Sequence, residues 1–235
     1  MKPFLLSLSA FLIILFFGGC NCDESTVPVA DNTDTTLNES INVLIGEKHF
    51  LNDYEPYCEN GDINAVIEIP AGSLEKWEVD KKDGSIRLEF DDEKPRVVQY
   101  LAYPVNYGMI PQTVLPKDLG GDGDPLDVLV LGDACKRGEV VACKLIGVMI
   151  MLDNGEQDDK LIAVKKGSPY YYIDSIAGLD ENFPGITDIL KIWFTNYKGA
   201  GKIEVLRFEG KLIADQILHK ATDEFKNLGN VMRSN

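Results

Sequence analysis

The carboxylates of this chain fall into groups whose spacing suits hard cations. Asp122, Asp124 and Asp127 share the stretch Gly120-Gly121-Asp122-Gly123-Asp124-Pro125-Leu126-Asp127, a turn made compact by glycine and fixed by proline. It runs straight into the apolar Val128-Leu129-Val130-Leu131. Carboxylates this close raise one another's pKa, and Mg²⁺ or Ca²⁺ relieves the repulsion because both take carboxylate oxygens. Alone, the turn would read as a solvated loop. A second acidic group, Asp153 with Asp158, flanks the hairpin signal Asn154-Gly155, and alternation turns Asp158 and Lys160 the same way on the outgoing strand. Glu68 interrupts the β-branched run Val66-Ile67-Glu68-Ile69-Pro70, where a charge either meets solvent or does chemistry. Lys76 and Glu78 alternate with Trp77, as a surface ion pair over a buried ring or as part of a site. Arg96 precedes Tyr103-Pro104-Val105-Asn106-Tyr107-Gly108, and Tyr197-Lys198 closes a helical pattern. The only histidines, His49 and His219, stand in no motif, so a histidine mechanism has little support.

The elements that must position these groups are mostly short strands. Runs at 63–69, 76–79, 86–90, 128–131 and 140–152 read as strands, with Lys81-Lys82-Asp83-Gly84-Ser85 as a hairpin turn and a bend or break expected at Gly147. Helical periodicity begins near Pro184, where Ile186, Ile189, Leu190, Trp193, Phe194 and Tyr197 form one apolar stripe. A second amphipathic helix over about 212–228 uses Ala214, Ile217, Leu218, Ala221, Phe225 and Leu228 for packing. Strands in the middle and helices towards the C-terminus give an α+β class, with consecutive short strands suited to a small barrel.

The 235 residues, 45% of them hydrophobic, are enough for one domain with a full core. Asp and Glu number 38 against 23 Lys and Arg, and the net charge of −15 argues against nucleic acid or an anionic membrane surface as the main partner. Met1 to Gly19 carry Lys2 and then an apolar run from Phe4 to Phe17, the plan of an export signal too short to span comfortably. Gly18-Gly19-Cys20 resembles the bacterial lipoprotein cleavage box, which implies lipidation of Cys20 and a membrane attachment through that anchor alone. Residues 20–45, acidic and without Lys or Arg, read as a lipidated cysteine followed by a disordered tether, leaving 46–235 as the folded domain. The expected location is the cell envelope of a bacterium, facing the periplasm or the outside. There Cys22, Cys58, Cys135 and Cys143 could stay as thiols or pair, and sequence chooses no pairing.

Taken in order, Val66-Ile67-Glu68-Ile69-Pro70, Lys76-x-Glu78, Tyr103-Pro104-x-Asn106-Tyr107-Gly108, Asp122-Gly123-Asp124-Pro125-Leu126-Asp127-Val128, Asp153 with Asp158-x-Lys160, and Tyr197-Lys198 resemble the soluble family I inorganic pyrophosphatases. The resemblance covers roughly residues 60 to 200. It implies a five-stranded barrel of OB type with flanking, mainly C-terminal helices, and Mg²⁺-dependent hydrolysis of pyrophosphate to two orthophosphates, with several ions per site. It further implies that Asp122, Asp127, Asp153, Asp158 and Glu68 hold metal, that Asp124 takes the proton of the attacking water, and that Tyr103 assists the leaving group. Lys76, Arg96, Tyr107, Lys160, Tyr197 and Lys198 then donate to phosphate oxygens, with Arg87 in reserve for Arg96, whose spacing to the tyrosines departs from the bacterial pattern. Asp159 departs from the neutral residue expected between Asp158 and Lys160, and should face away. The family implies a homo-oligomer, dimer or hexamer, and Phe183-Pro184-Gly185 before the Trp193 helix looks more like its eukaryotic members. Two other readings fit parts of the pattern: a non-catalytic calcium-binding envelope lipoprotein, and a hydrolase of longer polyphosphate or nucleotides.

Overall fold

A computed structural model describes residues 38–40, 42–115, 121 and 123–234. The export signal, Cys20, Cys22 and Asp122 lie outside the described residues. Strands β1 (Asn38–Ser40) and β2 (Val43–Ile45) come first, then β3 (Ile63–Ile69), β4 (Trp77–Val79) and β5 (Ile86–Leu88). One sheet orders β1, β2, β5 and β4. The first two strands fall inside the stretch expected to be a tether. Val43-Leu44-Ile45 is apolar, β2 pairs with β5, and Leu44 is buried, so burial overrides the polar composition around it.

A two-stranded ribbon follows, β6 (Phe90–Asp91) with β7 (Lys94–Pro95), and then β8 (Asn106–Met109), β9 (Asp127–Leu131), β10 (Val140–Asp153), β11 (Glu156–Gln157) and β12 (Lys160–Lys165). β3 pairs with β8, β8 with β9, β9 with β12, β12 with β10, and β10 returns to β3. That circuit closes the expected five-stranded barrel, in which only the β9–β12 pairing is parallel. Both faces of its strands are covered. Along β9, Val128 and Val130 join one core cluster while Leu129 and Leu131 join the other, which is why the run reads as continuously apolar.

β10 is long enough to serve several partners because it bends. Its register against β12 shifts between Leu145 and Gly147. A Cβ at Gly147 would lie 2.4 Å from Ile176 Cγ1 and 2.5 Å from the Glu209 carbonyl oxygen, so only glycine fits the expected break. Before the bend β10 pairs with β3; beyond it the strand pairs with β13 (Ile203–Gly210). Asn154 and Gly155 take φ of 50° and 88°, the left-handed pair that a tight β10–β11 hairpin demands.

Helix α1 (Ile176–Asn182) precedes the helical pattern recognisable in sequence, with the Ser175 side chain accepting from Gly178 N–H as its cap. Helix α2 (Ile186–Asn196) starts just after Pro184 and buries Leu190, Trp193 and Phe194. Ile189, expected in the same stripe, is 56% exposed: at 100° per residue it lies on the stripe's flank. Helix α3 (Lys211–Ser234) packs Ala214, Leu218 and Ala221 against the barrel. Cys58, Cys135 and Cys143 are free thiols. Among the described residues no helix is long and apolar enough to cross a membrane.

Candidate active site

Two strand starts define the floor of the site. In the parallel β9–β12 pair, Val128 registers with Leu161, which sets Asp127 and Lys160 side by side at the same end of the barrel. Lys160 is 3% exposed, and its ammonium is shared between the carboxylates of Asp127 and Asp158. Burial alone would lower its pKa, but Asp127 and Asp158 raise it further and keep it a cation. Asp158 and Lys160 therefore face the same way, as alternation requires. Asp159 turns away: its carboxylate accepts from Met151 N–H at 3.1 Å and from the Gln157 amide.

Asn106 holds the tyrosine segment from inside. Fully buried, it accepts from Ala71 and Cys135 N–H and donates to the Asp133 carbonyl at 2.9 Å, tying β8 to the loops after β3 and β9. Tyr107 and Tyr103 then meet edge to face at 5.6 Å. Tyr103 contacts Trp193 of α2, and Trp193 stacks on Tyr197 at 4.6 Å. Burial raises the pKa of Tyr103, Tyr107 and Tyr197, so their hydroxyls stay protonated and able to donate.

The opposite wall comes from β3, β4 and the ribbon. Glu68 is 2% exposed; its carboxylate accepts from Val79 N–H at 2.8 Å, yet burial pushes its pKa up to about 8. Lys76 places its ammonium 3.9 Å from Glu78, 3.8 Å from Glu89 and 5.1 Å above the Tyr107 ring. Burial lowers its pKa, but Glu78 and Glu68 raise it more. Arg96 pairs with Glu89. Arg87, its reserve, pairs with Asp80 and Asp83 away from the site. At the rim Asp124 pairs with Lys81, and Asp153 at the end of β10 pairs with Lys198 beyond α2.

An open cleft of about 870 Å³ lies among these elements, and neither Arg87 nor Asp159 lines it. It collects every expected site residue that is described: Glu68, Lys76, Arg96, Tyr103, Tyr107, Asp124, Asp127, Asp153, Asp158, Lys160, Tyr197 and Lys198. It also collects Lys81 and Glu89, which sequence reasoning passed over. Lys81 lies in a stretch whose glycine signals only a turn, and Glu89 lies in a run that reads as one strand with Arg87, whereas the structure breaks that run at Glu89, between β5 and β6. The donor set fits hard divalent ions. It offers carboxylate oxygen without thiolate or imidazole, and an acid, Glu68, that burial alone leaves reluctant to ionise. Among the described residues no three such ligands are gathered around one point, and Asp124, Asp127, Asp153 and Asp158 each have a lysine partner.

A family model described as inorganic pyrophosphatase matches residues 65–226, well over half of the chain. The chain belongs to the inorganic pyrophosphatase family. The inorganic pyrophosphatase of Campylobacter jejuni is 37% identical over 169 residues, covering 70% of this chain and 92% of its own. That of Rickettsia conorii is 33% identical over 180 residues, covering 74% and 98%. A solved Helicobacter pylori pyrophosphatase superposes with a TM-score of 0.63 at 33% identity, covering 74% of this chain and 99% of its own. A truncated vacuolar soluble pyrophosphatase of Trypanosoma cruzi, solved in complex with PPi, shares the fold with a TM-score of 0.73 at 24% identity, covering 77% and 79%. The chain hydrolyses inorganic pyrophosphate, and the family is metal-dependent. Membership favours that reaction over a calcium-binding lipoprotein and over a hydrolase of longer phosphates.

Proposed function

We propose that the chain is a Mg²⁺-dependent inorganic pyrophosphatase exported to the bacterial envelope, anchored by lipid on Cys20 and working as a homo-oligomer. The observation that carries the catalytic part is the convergence of carboxylates and cations on one cleft. A polyanion enters an Asp-rich cleft only if its charge is met. Asp127, Asp153, Asp158 and Glu68, with Asp122 completing the set, would hold Mg²⁺, which when bound would supply that neutralisation and lower the pKa of water. Lys76, Arg96, Lys160 and Lys198, with the Tyr107 and Tyr197 hydroxyls, donate to phosphate oxygens and fix the substrate in line. Asp124 accepts the proton of the attacking water. Tyr103, buried and protonated, donates towards the leaving phosphate.

The test is phosphate release by the full chain in detergent, with pyrophosphate, tripolyphosphate and ATP, each with Mg²⁺ and with chelator. Pyrophosphate should be the preferred substrate and its turnover should need the metal; preference for either longer substrate would defeat the assignment. Anchoring is read separately. Labelled fatty acid should enter the protein and be lost in Cys20→Ser, and incorporation that survives the substitution would remove Cys20 from that role. Light scattering of the purified protein reports the assembly, and a monomeric mass would refute it.

A further inference from the structure

Glu89 is an acceptor in a cleft that must hold a polyanion, so it is no phosphate ligand. Its contacts run instead to two cations. Its N–H donates to the Lys76 carbonyl at 2.9 Å, its carbonyl accepts from Arg96 N–H at 2.8 Å, and Lys76 N–H donates to the Arg96 carbonyl at 2.9 Å. These bonds close a backbone triangle across the base of the β6–β7 ribbon. The side chain repeats the arrangement: the carboxylate pairs with the Arg96 guanidinium and lies 3.8 Å from the Lys76 ammonium. Against the cost of burial, a hydrogen bond from Glu78 and the charges of Lys76 and Arg96 hold Glu89 below the ordinary carboxylate range. Burial and the same bond push Glu78 up to about 7.

We infer that Glu89 is a positioning residue that fixes Lys76 and Arg96 in their phosphate-binding geometry before substrate arrives. Two long cationic side chains in one wall repel each other and have many rotamers to lose on binding. A shared carboxylate offsets the repulsion and removes that freedom in advance, so less is lost when pyrophosphate binds. The inference rests on the reading of Lys76 and Arg96 as phosphate donors.

The experiment compares wild type, Glu89→Gln, Glu89→Asp, Arg96→Ala and the Glu89→Gln/Arg96→Ala double variant by steady-state kinetics with pyrophosphate. Glu89→Gln keeps the shape and removes the charge; its KM should rise about tenfold with a smaller change in kcat. Glu89→Asp, keeping the charge on a shorter arm, should recover part of that loss. In the Arg96→Ala background the Glu89→Gln factor should shrink severalfold, since one of the two groups it acts through is gone. A wild-type KM in Glu89→Gln beside a raised KM in Arg96→Ala would overturn the inference and leave the phosphate reading standing. So would an undiminished Glu89→Gln factor in the double variant. An unchanged KM in Arg96→Ala itself would strike the phosphate reading of that residue, and the inference with it.

Discussion

The Lys160 ammonium pairs with Asp127, which stands beside it across the parallel β9–β12 strands, and with Asp158, so it occupies the space between carboxylates that a divalent ion would otherwise neutralise. Removing a buried charge from such a group leaves the remaining charges facing one another, typically at a cost of about 3–5 kcal/mol. Lys160→Met should therefore lose roughly that much stability in chelator and regain most of it in Mg²⁺, while kcat/KM for pyrophosphate falls on the order of 100-fold. Denaturant titration with and without metal, beside phosphate release, checks both parts. Equal stability losses in the two conditions would argue against a metal held by Asp127 and Asp158.

Asp124 differs from its neighbours in lying at the rim with an exposed partner, Lys81. An ion pair as open as this adds about 0–1 kcal/mol, so the side chain is dispensable for folding. Asp124→Asn should melt like wild type and lose about 100-fold or more in kcat. Wild-type turnover would remove Asp124 from proton transfer.

Glu68 and Glu78 give the metal-free protein a defined response to pH. Burial raises Glu68 from 4.5 to about 8 and Glu78 from 4.5 to about 7. Between the unfolded and folded values the native state binds more protons, so stability is full below the unfolded pKa and is lost as pH rises through the folded one. Each group contributes a slope of up to about −1.4 kcal/mol per pH unit in that window. Denaturant midpoints in chelator should fall from pH 5 to 8, and Glu68→Gln should flatten the profile. A profile rising across that range would contradict the assignment.

Arg87 and Arg96 make a matched pair of controls, because only Arg96 lines the cleft. Arg87→Ala should leave KM for pyrophosphate within about twofold of wild type, as expected for a residue whose partners are Asp80 and Asp83 on its own hairpin. A tenfold rise would return Arg87 to the phosphate site.

How much was readable in sequence depended on how local the cause was. Asp124, Asp127, Asp158 and Lys160 announce themselves because turn chemistry and strand alternation fix their directions within a few residues. Arg96 does not: the β6–β7 ribbon separates it from Glu89, and the long-range backbone bonds to Glu89 and Lys76 bring it back to the cleft. Glu89 looked like its neighbour Arg87, a charge on a short strand, and nothing local separates the one facing inward. α1 is short and carries Gly178 inside it, which weakens helical periodicity, although Ser175 is a good cap. β13 buries Ile203 and Val205 but follows them with exposed Leu206 and Arg207, so its alternation fades midway. Ile189 shows the limit of a wheel: the stripe's centre was clear, its edge was not.

The aromatic stack has an optical consequence. The chain has two tryptophans. Trp193 lies against Tyr197 and Tyr103, both of which line the cleft. Trp77 adjoins Lys76 in sequence and carries the Arg137 guanidinium over its ring at 3.9 Å. Trp77 is a core residue that does not line the cleft, so its indole supplies a background and Trp193 the part of the emission that arises beside the site. Ion and substrate occupancy should then be readable by titrating the unlabelled chain, the Trp193 share of the signal being the one that moves.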